Sequence, residues 1–270
     1  MMRRKPKGTP KGWSPKMVAL DIDGTLVDDL GNMLPSVRSA VRRVVEAGIP
    51  AVLATGRSWH GTQQVFDELE LPPGPAVASN GAVIVEYPPF SVRRQVTFDP
   101  ADVIEKVQRL APNALIAVED LGRGYRMTGP FPEGELSGDL VMSTAEELAA
   151  ERVTRVIIRE PGRSDQAFIE LAQQLGLHGV SYFIGYSAWL DIAPEGVDKA
   201  TALADIAGGW GIDAADVLAL GDGRNDIEML TWAGRGVAMG QAPAEVKAVA
   251  DHVTDPFLDG GTAAELSRWF

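Results

Sequence analysis

Residues 17–26 of this chain read MVALDIDGTL. An apolar run typical of a β-strand is followed by two aspartates, Asp21 and Asp23, and then by a glycine turn at Gly24. Residues i and i+2 of a strand point to the same side, so we expect both carboxylates to project together from the strand's carboxyl end, where open α/β sheets bind ligands. Two carboxylates so near to each other need a cation or a shared proton to offset their repulsion. Taken alone, the stretch fits a catalytic strand end and an acidic turn about equally well.

The remaining sequence predicts two kinds of domain. Apolar runs at 17–22, 50–55 and 76–79 alternate with helical patterns at about 36–47 and 59–70, and the alternation returns from about residue 198 to 254. This alternation predicts a doubly wound parallel sheet, formed by residues 17–82 and 195–270. Residues 83–194 instead pair short strands and contain helices near 100–111, 143–149 and 165–175. They predict an inserted α+β domain with an antiparallel or mixed sheet and helices on one face.

Composition restricts the chemistry and the partners. The 270 residues are 45% hydrophobic and 23% charged and include no cysteine, so any metal must be held mainly by oxygen ligands. Residues 1–16 carry six Lys or Arg and no acid, which predicts an unpacked basic tail. The net charge of −12 includes the +6 of this tail, so residues 17–270 carry −18. This acidic body argues against a nucleic acid partner.

The sequence also contains no membrane-length apolar run, and its basic tail lacks the apolar region of a signal peptide. We therefore expect no membrane partner and a cytoplasmic location.

Polar clusters follow two further apolar runs. Thr55-Gly56-Arg57-Ser58 follows PAVLA, and a hydroxyl with glycine-freed N–H groups at a helix start suits an oxyanion, although the same residues also make an acceptable helix cap. GDGRND at 221–226 follows VLAL and adds two more acids. A dinucleotide-binding fingerprint is excluded there, because the third glycine position is occupied by Asp226, which would repel a pyrophosphate.

A third cluster, GVDK at 196–199, opens a helix with Asp198 as its N-cap. The helix dipole disfavours Lys199 in the first turn, so a nearby anion would explain it, while an exposed lysine is the alternative.

Taken in order, Asp21-x-Asp23, the Thr55-Gly56 cluster, Lys199 and the 221–226 cluster resemble the four motifs of the haloacid dehalogenase superfamily. The stretches GDGRNDIEML, GVDKATAL and SNGA look like those of Cof-type phosphatases, whose large cap lies between motifs two and three. The resemblance implies a Rossmann-like α/β core with residues 83–194 as the cap. It also implies a phosphatase that hydrolyses small phosphate monoesters, with a phosphosugar mutase or phosphotransferase and a non-catalytic phosphometabolite-binding module as the alternatives.

The resemblance also implies roles for the acids. Asp21 would attack phosphorus and form an aspartyl-phosphate, and Asp23 would act as the general acid and base. Mg²⁺ would be held by the Asp21 carboxylate, the Asp23 backbone carbonyl and Asp222, with Asp226 holding a water on the metal.

Phosphate binding falls to a different set. Thr55, the Gly56 N–H, Lys199 and Asn225 would hold the transferring phosphoryl group, and Lys199 would also separate the charges of the acids.

The remaining expectations concern substrate and assembly. Arg57 is either a structural ion-pair residue or a phosphate ligand, and His60 is expected on a helix surface. Specificity is expected in the cap, and the candidates near its strand ends are Glu119, Arg126, Tyr182 and Tyr186. The expected partner is a small phosphorylated metabolite, such as a sugar phosphate, a phosphoglycolate-like acid, pyridoxal phosphate or a flavin-pathway phosphate. The protein is expected to be a monomer or a homodimer.

Overall fold

The computed structural model describes residues 12–162, 170–171, 173–175, 180–184 and 189–270. Within these residues the strands are β1 (Met17–Leu20), β2 (Ala51–Leu53), β3 (Gly74–Ala78), β4 (Val83–Tyr87), β5 (Ser91–Gln95), β6 (Leu115–Asp120), β7 (Gly124–Met127), β8 (Asp139–Met142), β9 (Val156–Arg159), β10 (Val180–Ile184), β11 (Trp189–Pro194), β12 (Val217–Gly221), β13 (Arg235–Ala238) and β14 (His252–Val253). The helices are α1 (Pro35–Glu46), α2 (Trp59–Glu68), α3 (Ala101–Leu110), α4 (Ala145–Ala149), α5 (Lys199–Gly209), α6 (Ile227–Trp232), α7 (Ala244–Lys247) and α8 (Gly261–Leu266).

The chain forms two compact units. The first contains the described residues up to Gly56, Thr62–Arg93 and Asp198–Phe270, and the second contains Arg57–Gly61 and Arg94–Val197. The sequence places residues 83–93 in the inserted domain, whereas here they lie in the first unit, where β4 pairs with β3 and β5 follows β4 in the same sheet.

The first unit is built on a parallel sheet with the strand order β14-β13-β12-β1-β2. A parallel bridge between Ala54 and Val77 brings β3 beside the end of β2, and β3 also begins the sheet β3-β4-β5. The residues of β1 and β12 are all buried, as expected for central strands covered on both faces. The α/β fold predicted from the alternation is confirmed.

Helix α1 shows why these residues fold onto the sheet. Its buried residues recur at helical spacing, and they are Val37, Ala40, Val41 and Val44. Pro35 at the first helical position suits a helix start because its fixed backbone angle is helical and its missing N–H would have no partner there. Burying such an apolar face contributes about 1.5–3 kcal/mol for each larger side chain.

The second unit has a sheet with the order β10-β11-β9-β6-β7-β8, antiparallel except for the parallel pair β7 and β8. One face packs against α3 and α4, where Val107 and Leu148 join Ile116, Val118 and Ile158 in a single core. The predicted mixed sheet with helices on one face is confirmed for the described residues. Most of the helix predicted near 165–175 lies outside them.

Part of the segment predicted to be an unpacked tail is packed. The Trp13 ring meets Trp269 edge to face at 4.9 Å, and its Nε1 donates to the Ala215 carbonyl at 2.8 Å. Pro15 is buried, and Lys16 Nζ lies 2.6 Å from Asp216 Oδ2. The prediction is therefore wrong for residues 13–16, because charge counting ignored the apolar surface that Trp13 buries. Residues 1–11 lie outside the described part of the chain.

Among the described residues, none of the helices has the length and apolarity needed to cross a membrane.

Candidate active site

Two neighbouring strands bring the first and last acidic motifs together. Strands β1 and β12 are paired in parallel up to Leu20 and Leu220, so the loops that follow the two strands begin at the same edge of the sheet. The Asp21 N–H donates to the Leu220 carbonyl at 3.0 Å, and Asp21 is only 4% exposed. A buried carboxylate at this position is costly unless it is paired.

Lys199 supplies the pairing charge. It begins α5, whose N-cap Asp198 accepts a hydrogen bond from the Thr201 N–H. Its Nζ lies 2.6 Å from Asp21 Oδ1 and 2.6 Å from Asp226 Oδ1, and the side chain is fully buried. The anion predicted from the unusual position of Lys199 is therefore present as two carboxylates, and the exposed-lysine alternative is wrong.

Asp226 organises the loop that follows β12. Its Oδ2 accepts from the Asp222 N–H at 2.9 Å and from the Gly223 N–H at 2.8 Å, while Oδ1 accepts from Lys199. A Cβ on Gly221 would lie 2.5 Å from Asp226 Cγ, so glycine is needed for this close approach. Because both Asp226 oxygens already accept hydrogen bonds, the geometry favours an organising role over direct contact with a metal.

Asp222 is held against the turn that follows Asp23. Gly24 has a φ of +73°, and a Cβ there would lie 2.2 Å from Asp222 Oδ2. Gln241 Nε2 donates to the same Oδ2 at 3.2 Å and to the Gly24 carbonyl at 2.6 Å. In this position, Asp222 places a carboxylate oxygen within 4.8 Å of carboxylate oxygens of Asp21 and Asp226, which also lie within 4.8 Å of each other.

The electrostatics of this group fit a hard divalent cation. Burial and the Asp226 charge raise the pKa of Asp222 to about 7, against the lowering effect of the Gln241 hydrogen bond. Burial, Asp226 and Asp222 raise the pKa of Asp21 well above its usual range, and Lys199 opposes them. Burial lowers the pKa of Lys199, but the Asp21 and Asp226 carboxylates outweigh it and raise that pKa. Three acids share one ammonium, so a second positive charge with oxygen ligands would relieve the remaining repulsion.

Asp23 differs from its expected placement in the strand. β1 ends at Leu20, and Asp23 lies in the following turn, where it bridges to Val27 and is exposed while Asp21 is buried. Its charge still raises the pKa of Asp21 and of Asp222. One carboxyl group of the pair is thus enclosed, and the other is accessible for proton exchange with solvent.

The second motif forms a polar cluster at the end of β2. Thr55 is fully buried, and its carbonyl accepts from the Asn80 N–H at 3.0 Å. Asn225 Nδ2 donates to Asn80 Oδ1 at 3.0 Å, and a Cβ on Gly56 would lie 3.1 Å from that same oxygen. Thr55, Gly56 and Asn225 are therefore brought together, as predicted from the sequence.

Asn80 contacts the candidate phosphate-binding residues, which was not predicted from the sequence. It has a positive φ of 52° and precedes Gly81, whose φ is +98°. Asn followed by Gly is a signal for such left-handed backbone, so the turn could have been recognised, although its contact with Asn225 could not.

Comparison with known proteins settles the family. The family model described as haloacid dehalogenase-like hydrolase matches residues 18–266. The chain belongs to the haloacid dehalogenase-like hydrolase family. The resemblance inferred from the four motifs is confirmed.

This haloacid dehalogenase-like hydrolase is similar to several phosphatases. It is 31% identical to the pyridoxal phosphate phosphatase YbhA of Escherichia coli K12, covering 89% of this chain and 95% of that protein. It is 25% identical to the 5-amino-6-(5-phospho-D-ribitylamino)uracil phosphatase YitU of Bacillus subtilis strain 168, over 95% and 98% of the two chains. A solved structure of a phosphatase of this superfamily from Bacteroides thetaiotaomicron is 29% identical, with a TM-score of 0.78 over 96% and 97% of the chains.

Two residues in the second unit of this hydrolase were left open or placed provisionally by the sequence. Arg57 Nη1 donates to the Gly61 carbonyl at 3.4 Å, which favours a structural role within the α2 turn. His60 is exposed on α2, as expected.

The predicted specificity residues of the second unit divide between the two faces of its sheet. Glu119 is 6% exposed, accepts from Thr154 Oγ1 at 2.9 Å and pairs in register with Tyr125. Arg126 pairs in register with Val118, which packs against the helices. Glu119 is the next residue after Val118 in β6, so Arg126 and Glu119 lie on opposite faces of the sheet. Arg126 forms an ion pair with Glu151 at 3.1 Å. The side chain of Tyr182 and all of Tyr186 lie outside what the structure describes.

Proposed function

We propose that this hydrolase is a Mg²⁺-dependent phosphatase that hydrolyses small phosphate monoesters through an aspartyl-phosphate on Asp21. The observation that carries the proposal is the arrangement of Asp21, Lys199, Asp226 and Asp222 at the ends of β1 and β12. It combines a buried carboxylate, a fixed ammonium and a cluster of oxygen ligands at one edge of a parallel sheet. Open α/β sheets bind their ligands at that edge.

Asp21 is the nucleophile in this proposal. An oxygen of its carboxylate forms a bond to phosphorus while the bond from phosphorus to the ester oxygen breaks. Lys199, 2.6 Å from Asp21 Oδ1, favours the ionised carboxylate and holds it in one orientation. Because the attacking oxygen is already held in place by the fold, less entropy is lost when the reaction begins, and the barrier is lower.

Asp23 carries the protons. Its carboxyl group gives a proton to the leaving alkoxide, and the resulting carboxylate then takes a proton from the water that attacks the aspartyl-phosphate. The exposure of Asp23 supports this role, because it can exchange protons and meet both the leaving group and water. Inorganic phosphate leaves, and Asp21 is restored.

The cation site is proposed to consist of the Asp21 and Asp222 carboxylates and the Asp23 backbone carbonyl, with Asp226 ordering the loop and any water beside it. Bound Mg²⁺ supplies positive charge that offsets the repulsion between the nucleophile and the phosphate. The structure supports an oxygen-only donor set through the 4.8 Å carboxylate cluster and the raised pKa of Asp222.

The phosphoryl oxygens are proposed to bind Thr55, the Gly56 N–H, Lys199 and Asn225. Donors fixed before the reaction stabilise the charge that gathers on these oxygens without reorganising. The hydrogen bond from Asn225 to Asn80 and the buried position of Thr55 support such a fixed set.

We further propose that residues 17–82 and 195–270, together with residues 83–93 of the first unit, act as the catalytic core and that the rest of residues 83–194 act as a cap that selects the leaving group. The substrate class is a small phosphorylated metabolite. The names of two relatives, a pyridoxal phosphate phosphatase and a ribitylaminouracil phosphate phosphatase, support testing esters whose leaving group joins a heteroaromatic ring to a hydroxyl.

The test is phosphate release by the purified chain from a panel of monoesters, which includes pyridoxal phosphate, flavin mononucleotide and sugar phosphates. Each ester is assayed with Mg²⁺ and with EDTA, beside Asp21→Asn. Release that requires Mg²⁺ and disappears in Asp21→Asn is the expected result. No release from any ester, or equal release by the variant, would reject the proposal.

A further inference from the structure

The amide of Gln241 joins three separate segments of the first unit. Nε2 donates to the Gly24 carbonyl at 2.6 Å and to Asp222 Oδ2 at 3.2 Å. Oε1 accepts from the Phe257 N–H at 3.0 Å. Gln241 thereby links the turn after β1, the loop after β12 and the segment before α8.

The orientation of this amide is set by its partners. The Gly24 carbonyl and the ionised Asp222 carboxylate can only accept, and the Phe257 N–H can only donate. The reversed amide would place its donors against the Phe257 N–H and its oxygen against two acceptors. The contacts therefore fix Nε2 on the side of Asp222.

Two of the three partners belong to the proposed cation site. Asp222 supplies one of its carboxylates, and Gly24 directly follows Asp23, whose carbonyl is a proposed ligand. The open side of Gly24 already receives Asp222 Oδ2, since a Cβ there would lie 2.2 Å from that oxygen. Gln241 holds the same oxygen from a second direction, so the carboxylate has one preferred position.

We propose that Gln241 is a positioning residue of the cation site, which fixes the Asp222 carboxylate and the Asp23–Gly24 turn relative to each other. The inference rests on the proposed cation site. A neutral amide suits this role because it donates two hydrogen bonds without adding charge beside the neighbouring carboxylates of Asp21, Asp222 and Asp226. Partners of metal ligands typically change metal affinity by 10- to 100-fold when they are removed.

The experiment compares Gln241→Met with Gln63→Met. Methionine keeps the approximate size of the side chain and removes its donors. Gln63 provides a matched control because its Nε2 donates to the Tyr87 hydroxyl at 3.1 Å, outside the proposed site. The dissociation constant of Mg²⁺ is measured by calorimetric titration without substrate, and the half-saturating Mg²⁺ concentration is measured from the rate of phosphate release.

Gln241→Met is expected to raise both the Mg²⁺ dissociation constant and the half-saturating Mg²⁺ concentration by about 10-fold or more. Gln63→Met is expected to leave both unchanged. The unfolding transition in EDTA establishes that each variant is folded, and Gln241→Ala replaces Gln241→Met if the latter is not.

An unchanged Mg²⁺ dissociation constant in folded Gln241→Met would overturn the inference, even if the variant melted at a lower temperature, because that result describes a purely structural contact. A wild-type chain that binds no Mg²⁺ would overturn it as well. A wild-type chain that binds Mg²⁺ but releases no phosphate would reject the proposed reaction and still allow the comparison of the two variants.

Discussion

Replacing Lys199 by methionine should destabilise the protein strongly and in a pH-dependent manner. The side chain is fully buried, and its Nζ lies 2.6 Å from both Asp21 Oδ1 and Asp226 Oδ1. At an effective dielectric constant of about 20, each of these 2.6 Å pairs attracts by about 6 kcal/mol. Desolvation of the ions offsets several kcal/mol each, and breaking a buried pair by removing one partner costs about 3–5 kcal/mol.

The loss of stability in Lys199→Met should depend on pH, because protonation of Asp21 removes its unpaired buried charge. Without the ammonium, the pKa of Asp21 in the folded protein rises further above its unfolded value. A group with a raised folded pKa is favourable to folding while it is protonated and loses that contribution as pH rises. We therefore expect Lys199→Met to lower the free energy of unfolding by about 3–5 kcal/mol at pH 8 and by less at pH 6.

The assay is urea unfolding in EDTA at both pH values, beside Lys247→Met. Lys247 lies on the short helix α7 and is not part of the site, so its replacement should change stability by less than about 0.5 kcal/mol. Phosphate release by Lys199→Met should fall by about 100-fold or more, since a fixed donor to the phosphoryl group is lost. A destabilisation at pH 8 no larger than that of the control, or one that grows as pH falls, would refute this account of Lys199.

Three further outcomes follow from particular contacts. Because the pKa of Asp222 without metal is about 7, the half-saturating Mg²⁺ concentration should fall as pH rises from 6 to 8; a titration that shows no pH dependence would contradict this. Gly24→Ala and Gly31→Ala should each introduce backbone strain of about 1 kcal/mol, because both glycines have a positive φ. Only the Cβ added at Gly24 would lie against Asp222 Oδ2, at 2.2 Å, so only Gly24→Ala should weaken Mg²⁺ binding in calorimetry. Asp191→Asn, which breaks a buried ion pair with an arginine, should cost about 3–5 kcal/mol in urea unfolding, whereas the exposed Glu151→Gln should cost less than about 1 kcal/mol; equal losses would reject the distinction.

The strand ends were predictable because their signals are local. An apolar run that stops at Asp21 or at Asp222 marks a buried strand and its edge, and parallel pairing of β1 and β12 brings the two edges together. An anion beside Lys199 was also indicated, since a lysine in a first helical turn calls for one, but the full burial of this side chain was not predicted. The second acid of the first motif was placed less well, because β1 ends at Leu20 and the alternation of a strand no longer applies to Asp23.

Contacts between distant segments left no local signal. Gln241 meets the Gly24 carbonyl across 217 positions of the chain, and Trp13 meets the Ala215 carbonyl across 202. Neither residue belongs to a periodic pattern that would single it out. Such contacts depend on which loops the sheet order brings together, and that order is known only once the fold is known.

The central claim is that Asp21 becomes covalently phosphorylated during turnover. The direct measurement begins with a rapid acid quench of the enzyme during turnover, with Mg²⁺ and an ester that the enzyme hydrolyses. The acyl phosphate is then reduced with borohydride, and the peptides are analysed by mass spectrometry. We predict a reduced residue at Asp21 that forms only with substrate, and none in Asp21→Asn. Full phosphate release without modification of Asp21, or modification of a different residue, would contradict the account.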